Sequence, residues 1–177
     1  ISDSDFATAF DAAMAQDLAE VDEVVNNPDA PTFENTIEGL MRTGAALDQV
    51  ASVFFNVAGA DSNEAREALM REVSPKLSAH SSAIYSNTAL FDRIRAVWDA
   101  RGSLDLNDEQ QRVLMLMHRS FVRAGAALTG DDAGRMADVK NRLAVLGTSF
   151  TQNLLADERD WAMELAESDL DGLPDFV

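Results

Sequence analysis

The chain has no cysteine. That removes disulfides, thiolate zinc sites and cysteine nucleophiles together, and it fits a reducing compartment, so a cytoplasmic location is expected with the periplasm left open. Histidine is almost as scarce, with His80 and His118 alone in 177 residues. A catalytic zinc helix needs two histidines four apart with a glutamate between them, which sets both imidazoles on one face beside a general base. Neither histidine begins such a motif. A carboxylate di-iron bundle needs Glu three residues before His, where this chain has Leu77 and Met115. Glycine-rich phosphate loops and the G-x-S-x-G elbow are missing too. His80 and His118 are therefore read as structural or surface residues, and no catalytic, cofactor-binding or metal-ligating residue is assigned.

Basic residues are also few, and their distribution is uneven. Of 31 acids and 14 bases, giving a net charge of −17, the stretch from Ile1 to Met41 carries ten acids and no base. After Arg159 come six further acids, again with no base, so the middle of the chain is close to neutral. A nucleic-acid partner would lack the counterion release that basic residues supply, and an anionic membrane surface is disfavoured for the same reason. The acidic ends are read as a solvated, solubilising surface, with a docking face for basic ligands as the second reading. No run is long and apolar enough to cross a membrane, and the opening ISDSDFATAF lacks the basic and apolar regions of a signal peptide.

What the chain does contain is helical periodicity. Apolar residues make up 46% and charged residues 25%, a globular balance. A first helix is expected from Asp3 or Ser4 to about Asn26. Its stripe is Phe6, Phe10, Met14, Leu18, Val21 and Val25, with Asp11, Asp17, Glu20 and Glu23 pointing elsewhere. Pro28 and Pro31 break it. The stretch Pro31–Val57 then reads as one long amphipathic helix, capped by Thr32, with Ile37, Leu40, Met41, Leu47, Val50, Phe54 and Val57 on one face.

A third helix is expected over Asn63–Ser86, capped by Ser62 and kinked or divided by Pro75. A fourth follows over Thr88–Arg101, with Asn87 as its cap and Gly102 at its C-terminal stop. The fifth starts at Asn107, where Gln110 completes a capping box, and runs to about Leu128. The sixth spans Asp132–Glu158, and Met136, Val139, Leu143, Leu146, Phe150 and Leu154 mark its expected buried stripe. Arg159–Leu165 is ambiguous between frayed helix and short strand, and Asp169–Pro174 is turn-forming. The expected fold is all-α: about six antiparallel helices in a bundle or array, forming a single domain over residues 1–177.

The remaining motifs have ordinary explanations. The pairs Asp22-Glu23, Asp108-Glu109 and Asp131-Asp132 could suggest carboxylate catalysis or calcium, but consecutive helical positions diverge by about 100°, and the last two pairs lie in first turns where acids are favoured. Met115, Met117, Met136 and Met163 are read as core filler and not as a flexible binding groove.

Five blocks carry a likeness to a known family. PTFENTIEGL at 31–40, SVFFNVAGAD at 52–61, PKLSAHSSAIYSNTALFDRI at 75–94, SFVRAGAAL at 120–128 and SFTQNLLADE at 149–158 together resemble the N-terminal region of the thimet-oligopeptidase-like (M3) zinc metallopeptidases. The bacterial peptidyl-dipeptidase branch is nearest, with oligopeptidase A next. The resemblance implies part of the N-terminal lobe of a two-lobed helical enzyme whose deep channel admits short peptides. Its zinc site is an HExxH helix plus a later Glu in the C-terminal part, so none of its catalytic or metal residues falls here. The implied partners are the C-terminal catalytic lobe of the same polypeptide and oligopeptide substrates. The ending DLDGLPDFV is read as a truncation. A lobe apart from its partner is expected to expose an apolar face and to self-associate through it. The alternative is a stand-alone helical protein-interaction module without peptidase activity.

Overall fold

The structure, a computed structural model, describes residues 2–61, 63–164, 166 and 172. Among the described residues all regular structure is helical, as expected for an all-α chain. The chain divides into two compact units, Ile1–Leu128 and Thr129–Val177.

In the first unit the longest element is α1, Asp3–Val25. At its start the Ser2 backbone N–H donates to Asp5 Oδ2 at 2.8 Å, and at its end the Asn26 amide donates to the Asp22 carbonyl at 2.8 Å. With 23 residues it is about 34 Å long, enough to cross the unit. Its first half buries Phe6, Phe10, Ala13 and Met14 against Leu47, Phe54, Ala58, Leu69 and Val73. Its second half places Val21 and Val24 in a separate core with Phe33, Ile37, Phe91, Ile94 and Leu114. Side chains of this size contribute roughly 1.5–3 kcal/mol each when fully buried. Phe6 and Phe10 also meet the Phe54 ring edge-on, with centroids 5.2 and 5.5 Å apart, a geometry that adds about 0.5–1.5 kcal/mol per pair.

Pro31–Val57 is not one helix. Thr32 does cap it, its hydroxyl accepting from Asn35 N–H at 3.1 Å, but the first segment is a π-helical turn, Phe33–Glu38, which passes into the single turn α2, Gly39–Arg42. The chain then breaks at Thr43-Gly44 and restarts as α3, Ala45–Ala60. Gly44 adopts φ +76°, a left-handed conformation that only glycine takes at little cost. Its N–H donates to Glu20 Oε2 on α1 at 2.9 Å. The break rotates one stripe into two: Ile37 belongs to one core and Leu47 and Phe54 to the other, while Met41, expected inside, is 59% exposed.

Helix α4 is Glu64–Tyr85. Its cap is Asn63, whose side chain accepts from Arg66 N–H at 2.9 Å; Ser62 lies outside the described residues. Pro75 neither divides nor ends α4, which continues in helical conformation on both sides of it. Arg66 pairs with Asp3 at 2.8 Å and Lys76 with Asp11 at 2.8 Å, fastening α4 along α1. Helix α5, Thr88–Ala100, is capped by Asn87 as expected, but it continues into a 3₁₀ turn, Arg101–Ser103, so Gly102 does not form a left-handed stop.

Helix α6, Asp108–Ala124, opens on the expected box: Gln110 N–H donates to Asn107 Oδ1 at 2.9 Å and Asn107 N–H to Gln110 Oε1 at 3.0 Å. It stops four residues before the expected end because Gly125, at φ +97°, closes a Schellman motif. Ala126 N–H donates to the Phe121 carbonyl and Gly125 N–H to that of Val122, each at 3.0 Å.

The second unit contains α7, Gly130–Asp160, which starts after Thr129. Its stripe is not buried. Leu143 is 62% and Phe150 70% exposed, Val139, Leu146 and Leu154 are exposed as well, and Met136 is half-buried. The 3.6-residue period that marks a buried face records what the helix is suited to cover, and a single helix supplies nothing to cover it with. Trp161–Glu164 is neither helix nor strand; Leu165 and, apart from Gly172, the expected turn Asp169–Pro174 lie outside the described residues.

Gly44 gives a direct test of the break. A Cβ there would lie 3.2 Å from the Asp17 carboxyl group besides straining the backbone, so Gly44→Ala is expected to lower stability by about 2 kcal/mol. Urea denaturation followed by circular dichroism measures it, and an unchanged midpoint contradicts the assignment.

Candidate functional site

Beneath Gly44 lies a charged residue that the helical pattern misplaced. Asp17 was expected to point away from the core, yet it is buried with its side chain 8% exposed. His80 of α4, 7% exposed, meets it, Nε2–H donating to Asp17 Oδ2 at 2.7 Å. Asp17 Oδ1 and His80 Nδ1 are buried without a hydrogen-bond partner. The signal for this burial was present in the spacing: Asp17 is four residues after Ala13 and four before Val21, on the stripe that includes both. Leu18, chosen in its place, is exposed.

The pair is built as a structural clamp. Asp17 and His80 face each other, and among the described residues no group of three or more His, Asp or Glu is placed to hold a metal. The described residues do not fit a zinc site. Two adjacent elements complete the clamp: Gly44 packs its backbone on the carboxylate, and Glu20 receives the Gly44 N–H. Hydrogen bonds from Gln16, first, and then from Gly44 hold the Glu20 carboxyl below its usual range.

His118 lies elsewhere, on α6. Its ring stacks on Trp98 at 4.6 Å and on Phe91 at 5.7 Å, while the Arg101 guanidinium covers the Trp98 ring at 4.0 Å. Burial holds its pKa below the ordinary value; Asp99 opposes that shift and Arg101 adds to it. Of the acid pairs, Asp22-Glu23 is exposed on α1, Asp108-Glu109 is exposed in the first turn of α6, and Asp131-Asp132 occupies the first turn of α7. Met117 is partly buried against the core, as filler should be, but it also lines a cleft; Met115 is partly buried, and Met163 is exposed.

Among the described residues three adjoining clefts open on the first unit. The first, about 430 Å³, has an apolar lining that includes Met41, Ile84, Tyr85, Leu116 and Met117. Met41 and Val113 also line the second, about 370 Å³, which adds Glu38, Arg42 and Glu109. Arg42 continues into the third, about 350 Å³, where Glu20, Glu23 and Glu34 gather. The spacing on Pro31–Val57 did not reveal this groove, because Met41 reaches it only through the π turn and the break at Gly44.

Known proteins share the sequence. The chain is 41% identical over 156 residues to a dipeptidyl carboxypeptidase of Salmonella typhimurium LT2 and 37% identical over 156 residues to one of Escherichia coli K12. It is 26% identical over 165 residues to oligopeptidase A of Salmonella typhimurium LT2. These alignments take in 88%, 88% and 92% of the chain but only 23%, 23% and 24% of the relatives, so the chain spans about a quarter of their length. No protein-family model matches it.

Removing one member of the buried pair leaves the other uncompensated, which costs about 3–5 kcal/mol. Asp17→Ala and His80→Ala are each expected to destabilise by at least about 3 kcal/mol, and the double variant by clearly less than their sum; additive losses in denaturant titrations would show that the two do not interact. For His118 the sign follows from its depressed pKa. The unfolded chain binds the proton more readily, so the stabilisation is present above the unfolded value of about 6.5 and is lost as pH falls through the lower folded value. His118→Gln is expected to flatten the decline in melting temperature below that pH, and an unaltered acid slope counts against the assignment.

Proposed function

This chain belongs to the thimet-oligopeptidase-like (M3) peptidase family, and from that membership we propose that it forms the helical N-terminal domain of a peptidyl-dipeptidase or oligopeptidase, non-catalytic by itself. The observation that carries the proposal is the 41% identity over 88% of the chain to a dipeptidyl carboxypeptidase of which it spans 23%. Identity that extends along nearly the whole chain supports reading residues 1–177 as one evolutionary piece of a larger enzyme.

In that enzyme these residues wall a channel for oligopeptides, contributing shape and negative potential, while zinc and the reacting groups belong to the remaining polypeptide. The apolar stripe of α7 supports a role against a partner surface, since side chains such as Leu143 and Phe150 gain by leaving water. The catalytic part of the same polypeptide is the proposed partner. A cytoplasmic location, consistent with a cysteine-free sequence, belongs to the same reading.

Purified residues 1–177 are expected to hydrolyse no fluorogenic oligopeptide with or without added zinc, whereas a gene product continuing through an HExxH segment releases dipeptides in a chelator-sensitive manner. Chelator-sensitive cleavage by the 177 residues would overturn the placement of the chemistry. A reading frame that closes at Val177 would favour the stand-alone interaction module instead.

A further inference from the structure

We propose that the groove running past Met41 and Arg42 is a docking site for a peptide segment with an apolar side chain at one end and cationic side chains at the other. The proposal concerns a surface built wholly from the first unit, and it holds whether or not these residues are joined to a catalytic part.

Three observations set the chemistry of the occupant. The apolar cleft is firm on one side and adaptable on the other: the Tyr85 ring packs on Phe121 at 4.9 Å, whereas Met41 is mostly exposed on the single turn α2. A thioether beside a fixed aromatic ring accepts apolar side chains of varied shape. At the opposite end, Glu20, Glu23 and Glu34 line one cleft, and hydrogen bonds from Gln16 and Gly44 favour the ionised form of Glu20. Arg42, the base in that lining, is already engaged by Glu38 at 2.6 Å, so carboxylates dominate the potential there.

The arrangement matters as much as the composition. Met41 lines the apolar and mixed clefts, Arg42 the mixed and acidic ones, and Thr43 the apolar and acidic ones, so the three meet around this turn with apolar and acidic surface on different sides of it. The complementary ligand carries its apolar and cationic groups at separate ends. A second copy of this chain is a poor occupant for the acidic end, because its own net charge is −17. Nucleic acid is repelled for the same reason. A basic, partly apolar peptide satisfies both ends, with charge setting orientation and apolar burial holding it.

The test uses residues 1–177 and a short fluorescein-labelled peptide with leucines at one end and lysines at the other, read by fluorescence anisotropy. Saturable binding is expected at low salt and should weaken as the Debye length falls from about 30 Å at 0.01 M to about 8 Å at 0.15 M. The double variant Glu23→Lys/Glu34→Lys and the single variant Met41→Asp should each weaken it roughly tenfold. All three side chains are exposed, so the helical circular dichroism spectrum and melting should be retained. Arg42→Ala, which frees Glu38, should leave binding unchanged or tighten it. A scrambled peptide of the same composition should bind distinctly less well. Absence of saturable binding, equal binding of the scrambled peptide, or wild-type affinity in either groove variant would overturn the proposal. None of these outcomes depends on peptidase activity, so failure here leaves the family-based reading intact.

Discussion

Asp17 enters the interior on the same face of α1 as Phe10, Ala13 and Val21, and the first unit is arranged around that burial. A carboxylate withdrawn from water needs donors or an opposite charge nearby, and here His80 meets it from α4. The geometry fixes more than one contact. Because α4 must bring His80 to Asp17, its earlier turns bring Leu69 and Val73 into one core and Ile84 reaches the other. The pair thus sits where the two apolar clusters meet along a single helix.

The same burial explains the break in Pro31–Val57. A side chain at position 44 would press on the Asp17 carboxyl group, so the chain passes there as glycine and takes a left-handed turn that no other residue takes cheaply. Glu20, one turn along α1, receives the amide exposed by the turn. Redirecting the chain at this point lets Ile37 serve one core and Phe54 the other. It also leaves Met41 and Arg42 on an outward-facing turn, which is the origin of the groove. A surface feature therefore depends on a buried one.

Among the described residues neither histidine belongs to a group of three or more His, Asp or Glu placed to hold a metal, and each is packed into the fold. His80 is half of the clamp, and His118 is an aromatic plate between Phe91 and Trp98 whose neutral form is favoured by burial. The similarity to dipeptidyl carboxypeptidases and oligopeptidase A runs along this helical framework, and α7 presents an apolar stripe outward.

Local chemistry made much of this legible in advance. Thr32, Asn87 and the Asn107–Gln110 box start helices where their side chains satisfy free backbone groups, and those bonds form within three residues, so sequence alone determines them. The all-α class and most helix limits follow from the same short-range rules, as does the family likeness. Long-range events were not legible in that way. The spacing placed Asp17 on the buried face of α1, but its partner is a histidine 63 residues away, the glycine break depends on Asp17 and Glu20, and the exposure of Phe150 depends on whether another surface lies against α7. Periodicity states which face a helix is able to bury. Only the tertiary structure decides what that face meets, because burial is a property of two surfaces and the sequence of one helix describes only its own.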